Sequence, residues 1–97
     1  MERVTLVEVM SKRSRILELA HARKAKRVRI FGSVARGSSS PESDVDFLVD
    51  FEPDASALDH VGLVHDLERL LGVGVDVISA GGLQPRHQDL VRQAIEL

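Results

Sequence analysis

Residues 27–51, RVRIFGSVARGSSSPESDVDFLVDF, carry an apolar run, a small-residue turn, a loop, and a second apolar run that opens with acids. The run 27–31 alternates, with Val28 and Ile30 at its β-branched apolar positions, and reads as a half-buried strand. Gly32 ends it, and Ser33–Arg36 fits a short helical turn stopped by Gly37. The loop 37–43, with three consecutive serines and Pro41, has the composition of a mobile segment. Asp44 to Phe51 reads as a second strand, with Val45, Phe47 and Val49 on one face and Asp44, Asp46, Leu48 and Asp50 on the other.

Outward from this segment, residues 5–24 are compatible with helix through Leu6, Val9, Met10, Ile16, Leu17, Leu19 and Ala20. Ser11 is placed to cap a second helix or to break the first. Pro53 closes the second strand. Residues 56–71 repeat Leu58, Val61, Val64, Leu67, Leu70 and Leu71 at helical spacing, with Gly72 as the expected C-cap. Residues 73–79, VGVDVIS, read as a third strand with an irregularity at Gly74. Gly81-Gly82 mark a turn, and Pro85 stands near the start of a final amphipathic helix containing Leu90, Val91, Ala94 and Ile95. The order predicts an α+β fold in two layers, a small mixed β-sheet covered by helices, formed by residues 1–97 as a single domain.

Composition narrows the function classes. Apolar residues make up 43% and charged ones 29%, an ordinary globular balance that argues against disorder. There is no cysteine, which removes disulfide, thiolate and cysteine-zinc chemistry. The N-terminus carries Glu2 and Arg3 without a signal-type apolar stretch, and no apolar run reaches membrane-spanning length, so a cytoplasmic location is the expectation. The net charge of −2 conceals a polarity: ten Lys/Arg against three Asp/Glu in residues 1–36, and three against twelve in residues 37–97. The acidic part suits a cation; the basic part suits phosphates, RNA, an acidic protein, or simply solvent. With three Phe and no Trp or Tyr, base stacking by a single-strand binder lacks its platform, and no direct sequence-specific nucleic-acid binding is expected.

Asp44 and Asp46, two apart on a strand, leave the same face, and burying such a pair without a counterion costs stability. A hard divalent cation removes that cost. Magnesium is commonly held by one or two carboxylates together with phosphates and water. Asp76 supplies a third acid if its strand lies beside the second; the bland reading of all three is a solvated acidic edge. Asp50 continues the same face farther along and reads as a solvated charge or ion-pair partner. Gly32 lets the backbone approach an anion, and the N–H groups after it, together with the Ser33 hydroxyl, can donate to phosphate oxygens. Arg36 can reach a phosphate or pair with an acid of the 42–46 segment. Neither a GxxxxGK[ST] loop nor a GxGxxG fingerprint is present. The spacings of His21, His60, His65 and His87 do not suit a zinc site, and all four read as helix-surface or boundary residues.

GSVARG at 32–37, ten residues between Ser33 and Asp44, and Asp-Val-Asp at 44–46 together resemble the DNA-polymerase-β-like nucleotidyltransferase superfamily. The short length resembles its minimal nucleotidyltransferase branch, which includes MntA-type antitoxins. The resemblance runs along essentially the whole chain and implies a polymerase-β-like palm. Gly32 and Ser33 would hold the triphosphate of ATP, with Arg36 beside them. Asp44 and Asp46 would coordinate Mg2+, and Asp76 would be the third catalytic acid and metal ligand. The implied activity is AMP transfer from ATP to a tyrosine hydroxyl of a cognate HEPN-type ribonuclease toxin, neutralising it within a hetero-oligomer. Inhibition by binding alone, or transfer to a small hydroxyl compound, are the competing expectations.

Overall fold

Hydrophobic alternation in the 27–51 segment builds the centre of the molecule. The computed structural model describes residues 4–41 and 43–97; Glu2 and Arg3 of the N-terminus and Glu42, an acid of the loop before β2, lie outside them. Two short helices, α1 (Leu6–Ser11) and α2 (Arg13–Ala22), lead into β1 (Ala25–Phe31), α3 (Gly32–Arg36) and β2 (Val45–Phe51). Helix α4 (Ala57–Leu71), β3 (Val75–Ser79), two 3-10 turns (Ala80–Gly82 and Pro85–His87), α5 (Gln88–Gln93) and β4 (Ile95–Glu96) complete the chain.

The mixed four-stranded sheet has the order β3-β2-β1-β4. β1 pairs antiparallel with β2 and with β4, while β2 and β3 run parallel. Alternation sends Val28, Ile30, Val45, Phe47, Val49, Val75 and Val77 into one core, against Val9, Ile16 and Ala20 of the first helices and Leu63, Leu67 and Leu71 of α4. Phe31 and Leu48 alternate away from that core yet are buried as well. Because β3 and β4 form opposite edges, the chain from Ser79 to Ile95 must cross the sheet; its first 3-10 turn packs on β2, and α5 packs on β1 and α3. Among the described residues no helix is long and apolar enough to cross a membrane.

Several local expectations need correction. The break between the first helices falls at Lys12 (φ −103°, ψ 14°), not Ser11, whose hydroxyl donates back to the Glu8 carbonyl at 2.6 Å inside α1. The periodic Leu58 and Val61 are exposed, at 80% and 50%. The buried stripe of α4 is Leu63, Leu67 and Leu71, four residues apart and facing the sheet with its C-terminal two thirds. The final helix ends at Gln93. Ala94 turns extended (φ −70°, ψ 140°), and Ile95 pairs with Ile30 as part of a fourth strand that the periodicity conceals. The serine loop is knitted rather than loose: Ser39 is buried and donates to the Val4 carbonyl at 3.0 Å, and the Ser43 hydroxyl accepts from the Ser40 N–H at 2.9 Å. Gly72 caps α4 in the left-handed region, as its position implies.

Candidate active site

The β2–β3 register decides what the three carboxylates can do together. In this parallel pair Asp46 lies beside Asp76, and Val45 beside Val75, so the two acids leave one face of the sheet as neighbours. Asp44 stands one residue before β2 rather than within it, still exposed. Asp46 is half-buried, and its carboxyl is pushed above the usual carboxylate range. Burial is the largest cause, followed by repulsion from Asp76 and then from Asp44, with Arg36 pulling the other way. The same ordering places all three acids and Arg36 within electrostatic reach of one point.

Two glycines make room for the acids. A Cβ on Gly32 would overlap the Asp46 carboxylate, and φ of +76° at Gly32 lies where L side chains are strained in any case. A Cβ on Gly74 would overlap the Asp44 carboxylate in the same way. Gly74 is the residue that sequence reasoning missed, having been taken only as an irregularity in the strand. Its signal is a small residue two positions before Asp76, just ahead of the strand that neighbours β2. Asp46 therefore lies between the Gly32 turn and Asp76, and Asp44 rests over the entry to β3.

The turn is built for close approach by an anion. Phe31 is the extended residue before α3, and Gly37 ends that five-residue helix in the left-handed region. So short a helix contributes individual N–H groups rather than a summed dipole. The Ser33 carbonyl accepts from the Ser38 N–H at 2.9 Å, while among the described residues nothing hydrogen-bonds to the Ser33 hydroxyl. Arg36 is exposed at the end of α3.

The other acid on this face is committed elsewhere. Asp50 accepts from the Arg29 guanidinium at 3.2 and 3.3 Å, which fits its reading as an ion-pair partner. Two histidines have structural partners. The Nε2 of His60 is 2.8 Å from the Val77 carbonyl and its ring stacks on Phe51, while Nδ1 of His87 accepts from the Gln84 N–H at 3.1 Å.

The donor set fits a hard cation. It is all oxygen, mutually repulsive, and set against a backbone turn with no side chain in the way. Among the described residues no three His, Asp or Glu side chains are gathered tightly enough to hold a metal ion by themselves. A cation here would take part of its coordination from phosphate and water, the usual condition of magnesium at nucleotide sites.

A helix-backed mixed sheet with paired acids opposite a Gly-Ser turn defines a nucleotidyltransferase palm, and comparison with known proteins agrees. The family described as Nucleotidyltransferase domain matches residues 12–96. The protein adenylyltransferase MntA of Thermococcus cleftensis is 40% identical over 67 residues, covering 69% of this chain and 68% of that protein. A solved structure described as a candidate minimal nucleotidyltransferase superposes with a TM-score of 0.87 at 45% identity, covering 97% of each chain. The chain belongs to the nucleotidyltransferase domain family, in its minimal, MntA-type branch, and is a nucleotidyl-transferring enzyme. The fold is also that of a chain from the complex of tri-AMPylated Shewanella oneidensis HEPN toxin with MNT antitoxin. The TM-score there is 0.67 at 19% identity, covering 90% of this chain and 69% of that one.

Proposed function

We propose that this protein transfers AMP from ATP to a hydroxyl of a partner protein, namely a tyrosine of a HEPN-type toxin, and thereby silences it within a complex. The observation that carries the reading is the position of Asp46, held between the Gly32 turn on one side and Asp76 on the other. A phosphate chain at the turn would lie within reach of all three acids. The kinship with MntA supports a protein acceptor, and the likeness to the antitoxin chain of the Shewanella complex suits a HEPN partner.

The residues divide the work as follows. The N–H groups after Gly32 and the Ser33 hydroxyl donate to phosphate oxygens, and Arg36 adds a positive charge at the same end. Asp44 and Asp46 hold Mg2+, which when bound neutralises phosphate charge and orients the α-phosphorus for attack. Asp76 is a ligand first and a base second. Positioned beside Asp46, it orients the acceptor hydroxyl and takes its proton. The hydroxyl oxygen forms its bond to the α-phosphorus in line with the breaking bond to the β-phosphate bridge, and diphosphate leaves.

Co-incubating the purified protein with the product of its neighbouring gene, magnesium and each of the four NTPs tests this reading by intact mass. An AMP-sized adduct on the neighbour, formed only with ATP and lost in Asp44→Asn and Asp46→Asn, is the expected result. A neighbour silenced without ATP and left unmodified would replace transfer by inhibition through binding alone.

A further inference from the structure

β3 carries Asp76 at an edge of the sheet, where only one side of the strand is paired. In a parallel ladder alternate residues turn their N–H and C=O groups to opposite sides. The Val45 N–H donates to the Gly74 carbonyl at 3.0 Å, so Gly74 and Asp76 face β2, and the backbone groups of Val75 and Val77 face outward. Those outward groups meet side chains of α4. The Val75 N–H donates to Oε2 of Glu68 at 3.3 Å, and the Val77 carbonyl lies 2.8 Å from Nε2 of His60, which donates to it. Both α4 residues are half-buried, and the His60 ring is further fixed by stacking on Phe51 at the end of β2.

Helix α4 thus grips the strand one residue before and one residue after Asp76. Hydrogen bonds of this kind do two things. They use up edge groups that an incoming strand would otherwise pair with. They also fix the backbone whose side chain must hold its place beside Asp46, an edge strand being otherwise the part of a sheet most free to shift. Resting on the assignment of Asp76 as a metal-binding acid, we infer that Glu68 and His60 are positioning residues that act on the active site through β3. Neither touches the reacting atoms.

The test compares Glu68→Ala and His60→Ala with Glu68→Gln and His60→Gln, whose amides restore an acceptor for Val75 and a donor for Val77. Each is made alone and in an Asp76→Asn background. Two readouts are independent of turnover: amide hydrogen exchange across residues 75–79, and Mn2+ affinity by electron paramagnetic resonance with α,β-methylene-ATP bound. The alanine variants are expected to exchange faster at 75–79 and to bind Mn2+ about tenfold more weakly, as loss of an outer-shell partner typically does. The glutamine variants should stay near wild type in both. In the Asp76→Asn background the alanine changes should weaken Mn2+ binding no further, because the residue they position is gone.

Unchanged exchange and Mn2+ affinity in the alanine variants would overturn the inference, as would an undiminished further loss in the Asp76→Asn background. Wild-type Mn2+ affinity in Asp76→Asn alone would instead overturn the assignment of Asp76, and exchange at Val75, which Glu68 holds, and at Asp76 and Ile78, which face β2, would then decide by itself whether α4 holds the strand.

Discussion

The Asp46 carboxylate lies directly against the backbone of Gly32, at a point where φ is +76° and a Cβ would overlap the acid. Two costs therefore meet in Gly32→Ala, a left-handed backbone and displacement of Asp46. Gly37 has nearly the same φ, +75°, but open space around it, so Gly37→Ala meets only the first. The left-handed cost alone is about 1–2 kcal/mol. Chemical denaturation should show a loss of that size for Gly37→Ala, with adenylyl transfer retained. Gly32→Ala should lose more stability and its transfer as well. Equal activity in the two variants would separate the close approach from catalysis.

The raised pKa of Asp46 makes stability depend on pH and on metal. A carboxyl whose folded pKa lies above its unfolded value of 3.8 binds a proton more tightly when folded. Its contribution is then fully present below pH 3.8 and is lost as pH rises through the raised folded value. Asp46→Asn removes that loss. In EDTA and without nucleotide, urea denaturation at pH 7 should find Asp46→Asn more stable than wild type. Magnesium with ATP should stabilise wild type and leave the variant little changed.

Asp66 supplies the opposite slope on the far side of the molecule. Its hydrogen bond with Arg23, Nε to Oδ2 at 2.9 Å, holds its pKa below the usual value. A depressed carboxyl contributes stability above its unfolded pKa of 3.8, lost as pH falls through the folded value. As pH falls below 3.8 and through the depressed folded value the wild type should lose this contribution, and Asp66→Asn should show a shallower acid limb in the same urea series. Arg23 is only half-buried, and the water around it keeps the effect small.

These assignments show which parts of the molecule local chemistry specifies. Strand β2 was legible because its two faces differ sharply, valines and Phe47 against acids, and only one register buries the former. The placing of Asp46 beside Asp76 was legible for the same reason, since charges on a strand need an explanation, whereas Asp44 stands just ahead of β2. Strand β4 was not. Ile95 and Glu96 carry no strand signal of their own, and the open edge of β1 recruits them, with the Leu97 N–H donating to the Val28 carbonyl at 3.0 Å. Leu58 and Val61 misled because helical spacing reports a possible face, whereas burial depends on where α4 meets the sheet. Gly74 was hidden because its role lies in a contact across strands with Asp44.

The Arg29–Asp50 pair should prove structural. Arg29 is 8% exposed and among the described residues its Nε has no hydrogen-bond partner, so removing Asp50 would leave a buried guanidinium with little compensation. Asp50→Ala should cost about 3 kcal/mol in urea denaturation, the low end of the range for breaking a buried pair because Asp50 keeps some solvent contact. Replacing both partners, Arg29→Met with Asp50→Leu, should recover most of that loss. Transfer activity of folded Asp50→Ala should remain, which distinguishes it from Asp46 on the same face of β2 and from Asp44 just ahead of the strand.

Gly74→Ala separates site geometry from fold stability most cleanly. Gly74 has no positive φ, so alanine brings no backbone strain there, and the atom in its way is the Oδ1 tip of an exposed side chain. The aspartate can swing into solvent at a stability cost of less than about 1 kcal/mol, as for most surface changes. Swung outward, Asp44 no longer shares a cation with Asp46, and a misplacement of about 1 Å can cost roughly a hundredfold in rate. Gly74→Ala should therefore unfold within that margin of wild type while its adenylyl transfer falls toward that of Asp44→Asn. Combining the two substitutions should lower the rate no further. A double variant slower than both would mean that Gly74 serves the site by some route other than seating Asp44.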